Sequence, residues 1–473
     1  MPLNPGLATR ENNIKYKLNL KFAVARDMGN PAVCNMVFRL RFILMAAAAL
    51  APVILDADPP PLDTPPEDWT FHAESTLIEQ WHGDFPSPYE GENSLNPHTE
   101  DAHTLTATVF LGHALWNGAG IYFDPEMNQG GGISGTLGLG GFSNGEATHT
   151  TGGDSPQFDV GRLFVRQIIG LGGEREPIAD DENQLAGSQD VNRITLTLGK
   201  LTVTDIFDTN IYSHDPETQF LNIALGDDGA WDFPANTDGY TSGFAAEWNR
   251  SSSTLRWGIF LEPAEADGTA MDYHLAKAWG QVAEWEQRYT IGGHSGALRP
   301  LVYWNRADMG SYSEALEEAH PDITTTRSYR SKTGGGLNWE QEITDSLGVF
   351  ARAGFDDGHT ETWAFTEIDR SASAGLSLKG TAWGRTADTL GVAAVVDGLS
   401  EDHRNYLAAG GYGFAIGDGR LNYGTEDIIE TYYNWKPVSW LALAFDYQFV
   451  ENPAYNRDRG PVSIYATRLH WEY

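Results

Sequence analysis

Two arginines stand four residues apart in a segment that alternates apolar and polar side chains. Arg162 and Arg166 share one face of this strand-like run, and Leu163, Val165 and Ile169 share the other. A guanidinium presents a planar fork of N–H donors, which can bond a pair of hydroxyl groups. The spacing therefore predicts that both side chains belong to one polar surface, which we interpret as facing a lumen. Alternatively, the two arginines only pair with the many acids of the chain.

A second set of candidate residues lies in residues 204–216, which do not alternate and so indicate a loop. Mixed polar and aromatic residues suit a pore constriction, where polar groups replace a solute's hydration shell and rings stack on the solute. The candidates are Asp205, Phe207, Asp208, Asn210 and Tyr212. Equally, these acids and Asp215 could cap local turns. A calcium site is a further alternative, although the EF-hand spacing is absent.

Enzyme motifs are nearly absent from the chain. Residues 141–145 match the G-x-S-x-G nucleophile pattern around Ser143, but they lie in a glycine-rich run without a strand–turn–helix context. The sequence has no HExxH, no P-loop and no cysteine pair, and spacing singles out no carboxylate pair among its 65 acids. We therefore expect no enzyme, no metal and no cofactor, with an outer-membrane hydrolase as the rival interpretation.

The elements that would position these residues are strands. The last residues, 465–473, alternate strictly between a large apolar face and a charged face and end on Tyr473. The polar positions of this segment and of residues 441–449 predict a wall facing a lumen near the periplasmic end: Asp446, Gln448, Arg468, His470 and Glu472. Two further alternating segments, 347–355 and 372–379, place Arg352 and Lys379 on polar faces, as candidate pore-lining residues.

Short and long connections between these segments favour an outer-membrane β-barrel. Lys436–Ser439 reads as a short turn, whereas residues 205–237 and 406–422 read as long loops, and residues 313–319 as a short helix in an external loop. Mean hydropathy is −0.37 and no apolar run reaches the length of about 20 residues that a membrane helix needs. Without its first 57 residues the chain has about 416 residues, and at about 25 residues per strand and connection this length corresponds to about 16 strands. Trp435, Trp440, Trp471 and Tyr473 would form an interfacial girdle.

The N-terminus predicts export. An apolar run from Phe42 follows Arg39 and Arg41, as in a signal peptide. We expect a doubtful extension (residues 1–35) with the single cysteine, Cys34, a signal peptide (36–57), a Pro-rich lead-in (58–68) and a barrel (69–473). The net charge of −34 excludes a nucleic-acid partner and places many acids in the lumen and loops.

Several ordered stretches resemble the carbohydrate-selective porin family (OprB type). They include residues 86–97, 115–130, 138–146, 162–167, 196–222, 365–385, 406–424 and 451–473. The resemblance implies an all-β barrel of about 16 antiparallel strands in the outer membrane of a Gram-negative-type bacterium. It also implies that mono- or small oligosaccharides diffuse passively through this barrel into the periplasm. Implied partners are small sugars, outer-membrane lipid, the barrel-assembly machinery through the C-terminal strand, and other copies in a possible homo-oligomer. A general cation-preferring porin without a sugar site remains the nearest alternative.

Overall fold

The computed structural model describes residues 67–149 and 153–473. The expected N-terminal extension, the signal peptide and all but the last two residues of the Pro-rich lead-in lie outside this part of the chain. Along the described residues, no helix combines the length and the apolar character that crossing a membrane requires.

Strands dominate the described chain. In chain order they are β1 (Trp69–His82), β2 (Glu100–Trp116), β3 (Ala119–Gly130), β4 (Gly153–Gly170), β5 (Arg175–Ile178), β6 (Gly187–Asp190), β7 (Arg193–Leu201), β8 (Thr241–Asn249), β9 (Ser253–Phe260), β10 (Trp279–Ile291), β11 (His294–Ala307), β12 (Arg330–Thr344), β13 (Leu347–Asp356), β14 (Arg370–Gly380), β15 (Arg385–Gly398), β16 (Glu426–Val438), β17 (Leu441–Glu451) and β18 (Val462–Glu472).

Sixteen of these strands form one closed antiparallel barrel, as predicted. The strands β5 and β6 are the exception and pair with each other as a separate hairpin. The barrel closes where β1 pairs with β18, and the backbones of Ala73 and Tyr473 exchange hydrogen bonds of 3.0 and 2.8 Å. Closure leaves the barrel without an unpaired edge, so each of its sixteen strands has a hydrogen-bonded neighbour on both sides.

Helices are few and short. They are α1 (Ile223–Gly226), α2 (Tyr312–Ala315) and α3 (Glu401–Ala408), with 3₁₀ turns at Ile133–Gly135, Gly145–His149, Val203–Asp205, Ile323–Thr326, Thr381–Trp383 and Pro453–Tyr455. Helix α2 lies where residues 313–319 predicted one, but it starts one residue earlier and is shorter. Helix α3 begins five residues before the predicted long loop 406–422 and includes the first three residues of that loop.

The alternation of the sequence becomes the inside and outside of the wall. In β18, Tyr465 is exposed on the outer face, whereas Ala466 and Arg468 are buried on the inner face. The predicted turn at Lys436–Ser439 needs correction, because β16 continues to Val438 and only residues 439–440 form the turn. Lys436 is thus part of β16, and its ammonium pairs with Glu472 of β18 at 2.5 Å.

Long connections at the external end fold into the lumen. The largest, residues 202–240 between β7 and β8, is called the infolded loop. Its Phe220 packs on Phe350 and Tyr432 of the wall, with ring centroids 5.6 and 4.9 Å apart. The carboxylate of Glu430 on β16 accepts hydrogen bonds from the backbone N–H groups of Leu221 (2.6 Å) and Asn222 (2.9 Å). This loop fills one side of the barrel and leaves space at the other.

Candidate functional site: the barrel lumen

A cavity of about 570 Å³ lies between the infolded loop and strands β1 to β4. We call it the main cavity. Its volume falls within the range of about 300–1,000 Å³ that is typical of small-molecule sites. Because it is bounded by the barrel wall on one side and the infolded loop on the other, a solute in the lumen would meet both.

Arg162 extends from β4 to the start of the infolded loop. Its Nε and Nη2 atoms each donate a hydrogen bond of 2.8 Å to the carboxylate of Asp205, a bidentate pair. Its Nη1 lies 3.9 Å from Asp124, and the guanidinium lies 5.6 Å from the ring centroid of Tyr240. Arg162 thus both lines the main cavity and holds the loop.

Arg166 lines the same cavity from the same strand. Its Nη1 donates a 2.9 Å hydrogen bond to the backbone oxygen of Asn183. The guanidinium lies 5.4 Å from the ring centroid of Tyr122 and 5.1 Å from that of Phe164. A guanidinium has five N–H donors, more than these contacts engage, so Arg166 has donors to offer a solute. The structure therefore brings the two predicted arginines together in one cavity.

Most predicted residues of the loop secure it and do not face the main cavity. Asp208 is buried and pairs with Arg352 of β13 at 3.1 Å. Asn210 donates a 2.8 Å hydrogen bond to Asn338, and its Oδ1 accepts one of 3.0 Å from the backbone of Tyr212. Asp208 and Asn210 therefore fasten the loop to the wall, as the alternative interpretation of local capping partly anticipated.

The expectation that Phe207 lines the pore is wrong. Its side chain is fully buried, with its ring edge-on to Trp231 and Phe260 at centroid distances of 6.4 and 6.2 Å. The aromatic ring serves to pack the loop on β9, because the loop needs an apolar underside to stay inside the barrel. Tyr212 in contrast is half-buried and lines a second cavity.

Arg352 is also not an open pore-lining residue. Only 4% of it is exposed, and its Nη1 and Nη2 atoms donate hydrogen bonds to the backbone oxygens of Leu225 (2.9 Å) and Ser213 (2.6 Å). Together with the Asp208 pair, these contacts make Arg352 a clamp on the infolded loop. Lys379 is exposed and lines the second cavity.

The predicted lumen-wall residues all lie on the inner face, in two groups. Gln448 donates 2.7 Å to the backbone oxygen of Ser143, Arg468 donates 2.9 Å to that of Gln219, and Asp446 is buried beside them. These three lie beneath infolded segments, which places them deeper than the periplasmic end where we expected them.

The other two wall residues, His470 and Glu472, line the second cavity, which measures about 540 Å³ and lies among the periplasmic ends of β11 to β18. The Nδ1 atom of His470 lies 2.8 Å from the hydroxyl of Thr76 and 3.6 Å from Glu217. Asp215 of the infolded loop lines both cavities, so this part of the loop separates them.

Sequence reasoning missed most of the carboxylates that line the main cavity. They are Glu74, Glu126, Glu146, Glu182, Glu217 and Asp227. Inward parity on β1 and β3 was an available signal for Glu74 and Glu126, whereas Glu146, Glu182, Glu217 and Asp227 lie in connections without periodicity. With Asp205 and Asp215, the acids outnumber Arg162 and Arg166, so the cavity is strongly acidic.

Metal-ligating side chains come together at two places in the described residues. Ligand atoms of Glu74, Glu217 and His470 lie within 4.8 Å of one another, as do those of His294, Glu342 and Asp345. The residues considered for calcium belong to neither group. Each has a protein partner instead: Asp205 pairs with Arg162, Asp208 with Arg352 and Asn210 with Asn338. Asp215 accepts a 2.8 Å hydrogen bond from the backbone N–H of Glu217.

Ser143, the residue of the G-x-S-x-G match, anchors the loop that contains it. It is buried, its hydroxyl donates a 3.3 Å hydrogen bond to Gln80, and its carbonyl accepts from both Gln80 (2.8 Å) and Gln448 (2.7 Å). The segment is a loop pressed against the wall and lacks the sharp strand-to-helix turn that exposes a serine nucleophile.

The closed sixteen-stranded barrel, narrowed by a loop that folds into its lumen, defines an outer-membrane porin. Residues 103–473 match the model of the family described as carbohydrate-selective porin, OprB family. The chain belongs to this family and is a carbohydrate-selective porin of the Gram-negative outer membrane. Family and fold are thus those of channels and not of enzymes.

The chain is similar to several solved porin structures. The high-pH structure of Pseudomonas putida OprB has a TM-score of 0.64 at 15% identity, covering 86% of this chain and 94% of that one. The low-pH structure of the same protein gives 0.46 at 11% identity, covering 86% and 93%. The outer membrane channel DcaP of Acinetobacter baumannii gives 0.46 at 9% identity, covering 86% and 97%. No curated protein matches the chain.

Proposed function

We propose that mono- or small oligosaccharides bind in the main cavity as they diffuse passively through the pore. The carrying observation is a 570 Å³ space in the lumen where Arg162 and Arg166 stand opposite carboxylates. A sugar hydroxyl both donates and accepts, so it can give its proton to a carboxylate and accept one from a guanidinium. Such charge-assisted hydrogen bonds replace the hydration that the sugar loses on entry.

Polar contacts carry this recognition more than ring stacking does. Phe164 and Tyr240 border the cavity, but each is almost fully buried and each has a guanidinium within 5.6 Å of its ring centroid. The ring faces are therefore engaged by Arg162 and Arg166, whose N–H groups are presented instead. Binding by a few hydrogen bonds is weak enough for the solute to leave again, as diffusion requires.

The acidic lining favours neutral sugars and cations over acidic sugars. Like charges face one another wherever an anionic solute approaches Glu126, Asp215 or Glu217. The ion current that remains when sugar is absent is expected to prefer cations for the same reason. This charge balance also agrees with the alternative of a general cation-preferring porin, so the sugar site needs its own test.

The test is single-channel conductance in a planar bilayer, titrated with glucose and with a malto-oligosaccharide. We expect a current that falls saturably with sugar. In Arg166→Ala the apparent binding constant should drop by about tenfold, because hydrogen bonds to a charged group contribute about 1.5–3 kcal/mol. Lys379→Ala removes the same charge from the second cavity and serves as the control. A wild-type current that is indifferent to sugar would leave a general porin.

We also infer how the barrel meets its surroundings. Aromatic side chains are exposed on the outer face at the periplasmic ends of the strands, where outer-membrane lipid would meet them: Trp69, Trp116, Trp383, Trp435 and Tyr473. The C-terminal strand β18 would engage the barrel-assembly machinery before it pairs with β1. A homo-oligomer remains an expectation, which mass measurement in detergent would check.

A further inference from the structure

The connection between β4 and β7, residues 171–192, differs from the other periplasmic connections of the described barrel. Those span two to four residues, as at 117–118 and 345–346. Residues 171–192 instead carry the β5–β6 hairpin, and the residues between its strands turn back into the barrel mouth. We call residues 179–186 the floor segment.

Side chains from three strands hold the floor segment inside the lumen. Asp180 accepts a 2.6 Å hydrogen bond from Thr70 of β1. Asn183 donates 2.8 Å to Asp124 of β3, which is completely buried, and its carbonyl accepts 2.9 Å from Arg166 of β4. Because these wall groups lie on the inner face of the barrel, the segment occupies the mouth and does not hang below it.

The tip of the floor segment is a defined turn. Asp181 and Gln184 exchange backbone hydrogen bonds of 3.2 and 3.0 Å, and Asn183 between them has φ of 53°. Asparagine tolerates this left-handed conformation better than most residues. Leu185 packs on the apolar cluster between the infolded loop and the wall. The tip therefore has a fixed shape and presents particular side chains to the lumen.

Those side chains are part of the main cavity. Glu182, Asn183 and Gln184 line it together with Glu74 and Glu217. The floor segment enters from the periplasmic mouth, so a solute that moves from the main cavity toward the periplasm on this side of the lumen has to pass it. The floor thus faces the infolded loop across the pathway.

We propose that the floor segment is a second constriction of the pore, which limits conductance on the periplasmic side and adds Glu182 and Gln184 to the groups that contact the solute. Its effect on sugar rests on the proposed function of the main cavity, whereas its effect on ion conductance does not. Two constrictions, one from each end of the barrel, would then bound a single sugar-sized space.

Deleting residues 173–190 tests the constriction. Leu171 and Asn192 already share a 2.9 Å backbone hydrogen bond, and Gly172 followed by Val191 gives a two-residue turn with glycine first, which suits a type II′ hairpin. We expect the truncated porin to conduct more than wild type and to bind sugar about tenfold more weakly. Heat-modifiable migration on gels would establish that the barrel has formed.

Glu182→Gln tests the same idea without changing the backbone, so it decides the matter if the truncated chain does not assemble. It should lower the ratio of cation to anion permeability, measured as the reversal potential in a salt gradient. Asp345→Asn is the matched control, since this side chain is 98% exposed at the periplasmic turn between β12 and β13, away from the floor segment. Unchanged conductance in an assembled deletion, or equal effects of the two point variants, would overturn the proposal. If sugar does not block the current of the wild-type porin, that result counts only against sugar binding in the main cavity.

Discussion

The two sides of the lumen use the same kinds of side chain for different purposes. On the side of β13 and β18, Arg352 and Arg468 are nearly fully buried and donate to backbone oxygens of the infolded loop. On the side of β4, Arg162 and Arg166 line a cavity and keep donors near open space. The position of a loop, and not the residue type, therefore decides whether a lumenal arginine donates to backbone oxygens or keeps donors near open space.

The buried charged residues of the wall satisfy backbone groups of the infolded loop. A loop inside a barrel carries backbone groups that water would otherwise satisfy, and each unpaired buried group costs about 1–3 kcal/mol. Arg352 and Glu430 supply the missing partners, one as a donor to carbonyls and the other as an acceptor from N–H groups. Charged wall residues thus make it possible for a long, irregular segment to stay in the lumen.

The largest effect is expected from Arg352→Ala. It would leave the buried carboxylate of Asp208 without its cationic partner and remove one donor from each of the carbonyls of Ser213 and Leu225, which should destabilise the docked loop by about 3–5 kcal/mol. Conductance should rise because the filled side of the barrel opens, and limited proteolysis should cut within residues 202–240. Lys379→Ala, which removes an exposed charge, should do neither. Wild-type conductance and protection in Arg352→Ala would contradict the clamp.

The barrel itself could be predicted from the sequence, because its cause is local. Alternation along residues 441–449 and 465–473 predicted β17 and β18, and the chain length at about 25 residues per strand and connection predicted the number of strands. The inward parity of Arg162, Arg352, Gln448 and Arg468 followed from the same period of two. These features depend on neighbours in the chain, which a sequence displays.

The division of the lumen could not be predicted, because its cause is not local. Whether Phe207 faces a pore or a core depends on contacts with Trp231 and Phe260 that the fold alone creates. Glu182 entered no candidate set, since nothing in its surrounding sequence indicates that residues 179–186 turn back into the barrel. With 65 acids in the chain, residue type carried little information about which ones would meet in the cavity.

The next largest effect should separate the two exposed arginines. Arg162→Ala would remove a bidentate pair and leave Asp205 and the buried Asp124 without this partner, so it should both weaken sugar block and make the current noisier as the loop start loosens. Arg166→Ala should weaken sugar block but leave the start of the infolded loop secured, because Arg166 donates to the floor segment and not to that loop. Each substitution should weaken the free energy of sugar binding by about 1–3 kcal/mol. Single-channel recordings with and without sugar measure both properties, and identical behaviour of the two variants would merge their roles.

A smaller effect concerns pH. Burial, and after it the nearby carboxylate of Glu217, raises the pKa of Glu182 to about 7, with Asp181 and Asp215 adding to the rise and His470 opposing it. Glu182 therefore gains its charge as the pH rises through about 7, and the preference for cations should increase over that interval. Reversal potentials between about pH 5 and pH 9 would measure it. Glu182→Gln should flatten this step, and an undiminished step would assign it to other acids.

The raised pKa of Glu182 also predicts how the docking of the floor segment depends on pH. A carboxyl group whose pKa is raised on docking favours the docked state most below its ordinary value of about 4.3, and this contribution disappears as the pH rises through about 7. Hydrogen exchange of residues 179–186 should therefore be faster at pH 8 than at pH 5, after correction for the intrinsic rate. In Glu182→Gln the difference should shrink, because Gln does not titrate.

The smallest effect is expected at Ser143, and it separates a channel from the hydrolase alternative. Ser143→Ala removes one 3.3 Å hydrogen bond to Gln80 but keeps the carbonyl that Gln80 and Gln448 bind, so stability should fall by about 1 kcal/mol at most. Conductance and sugar block should match wild type. Incubation with ester and glycoside substrates should give the same background rate for both proteins. A hydrolysis rate that disappears with this single hydroxyl would instead make Ser143 a nucleophile, and the glycine-rich loop would have to move away from the wall to expose it.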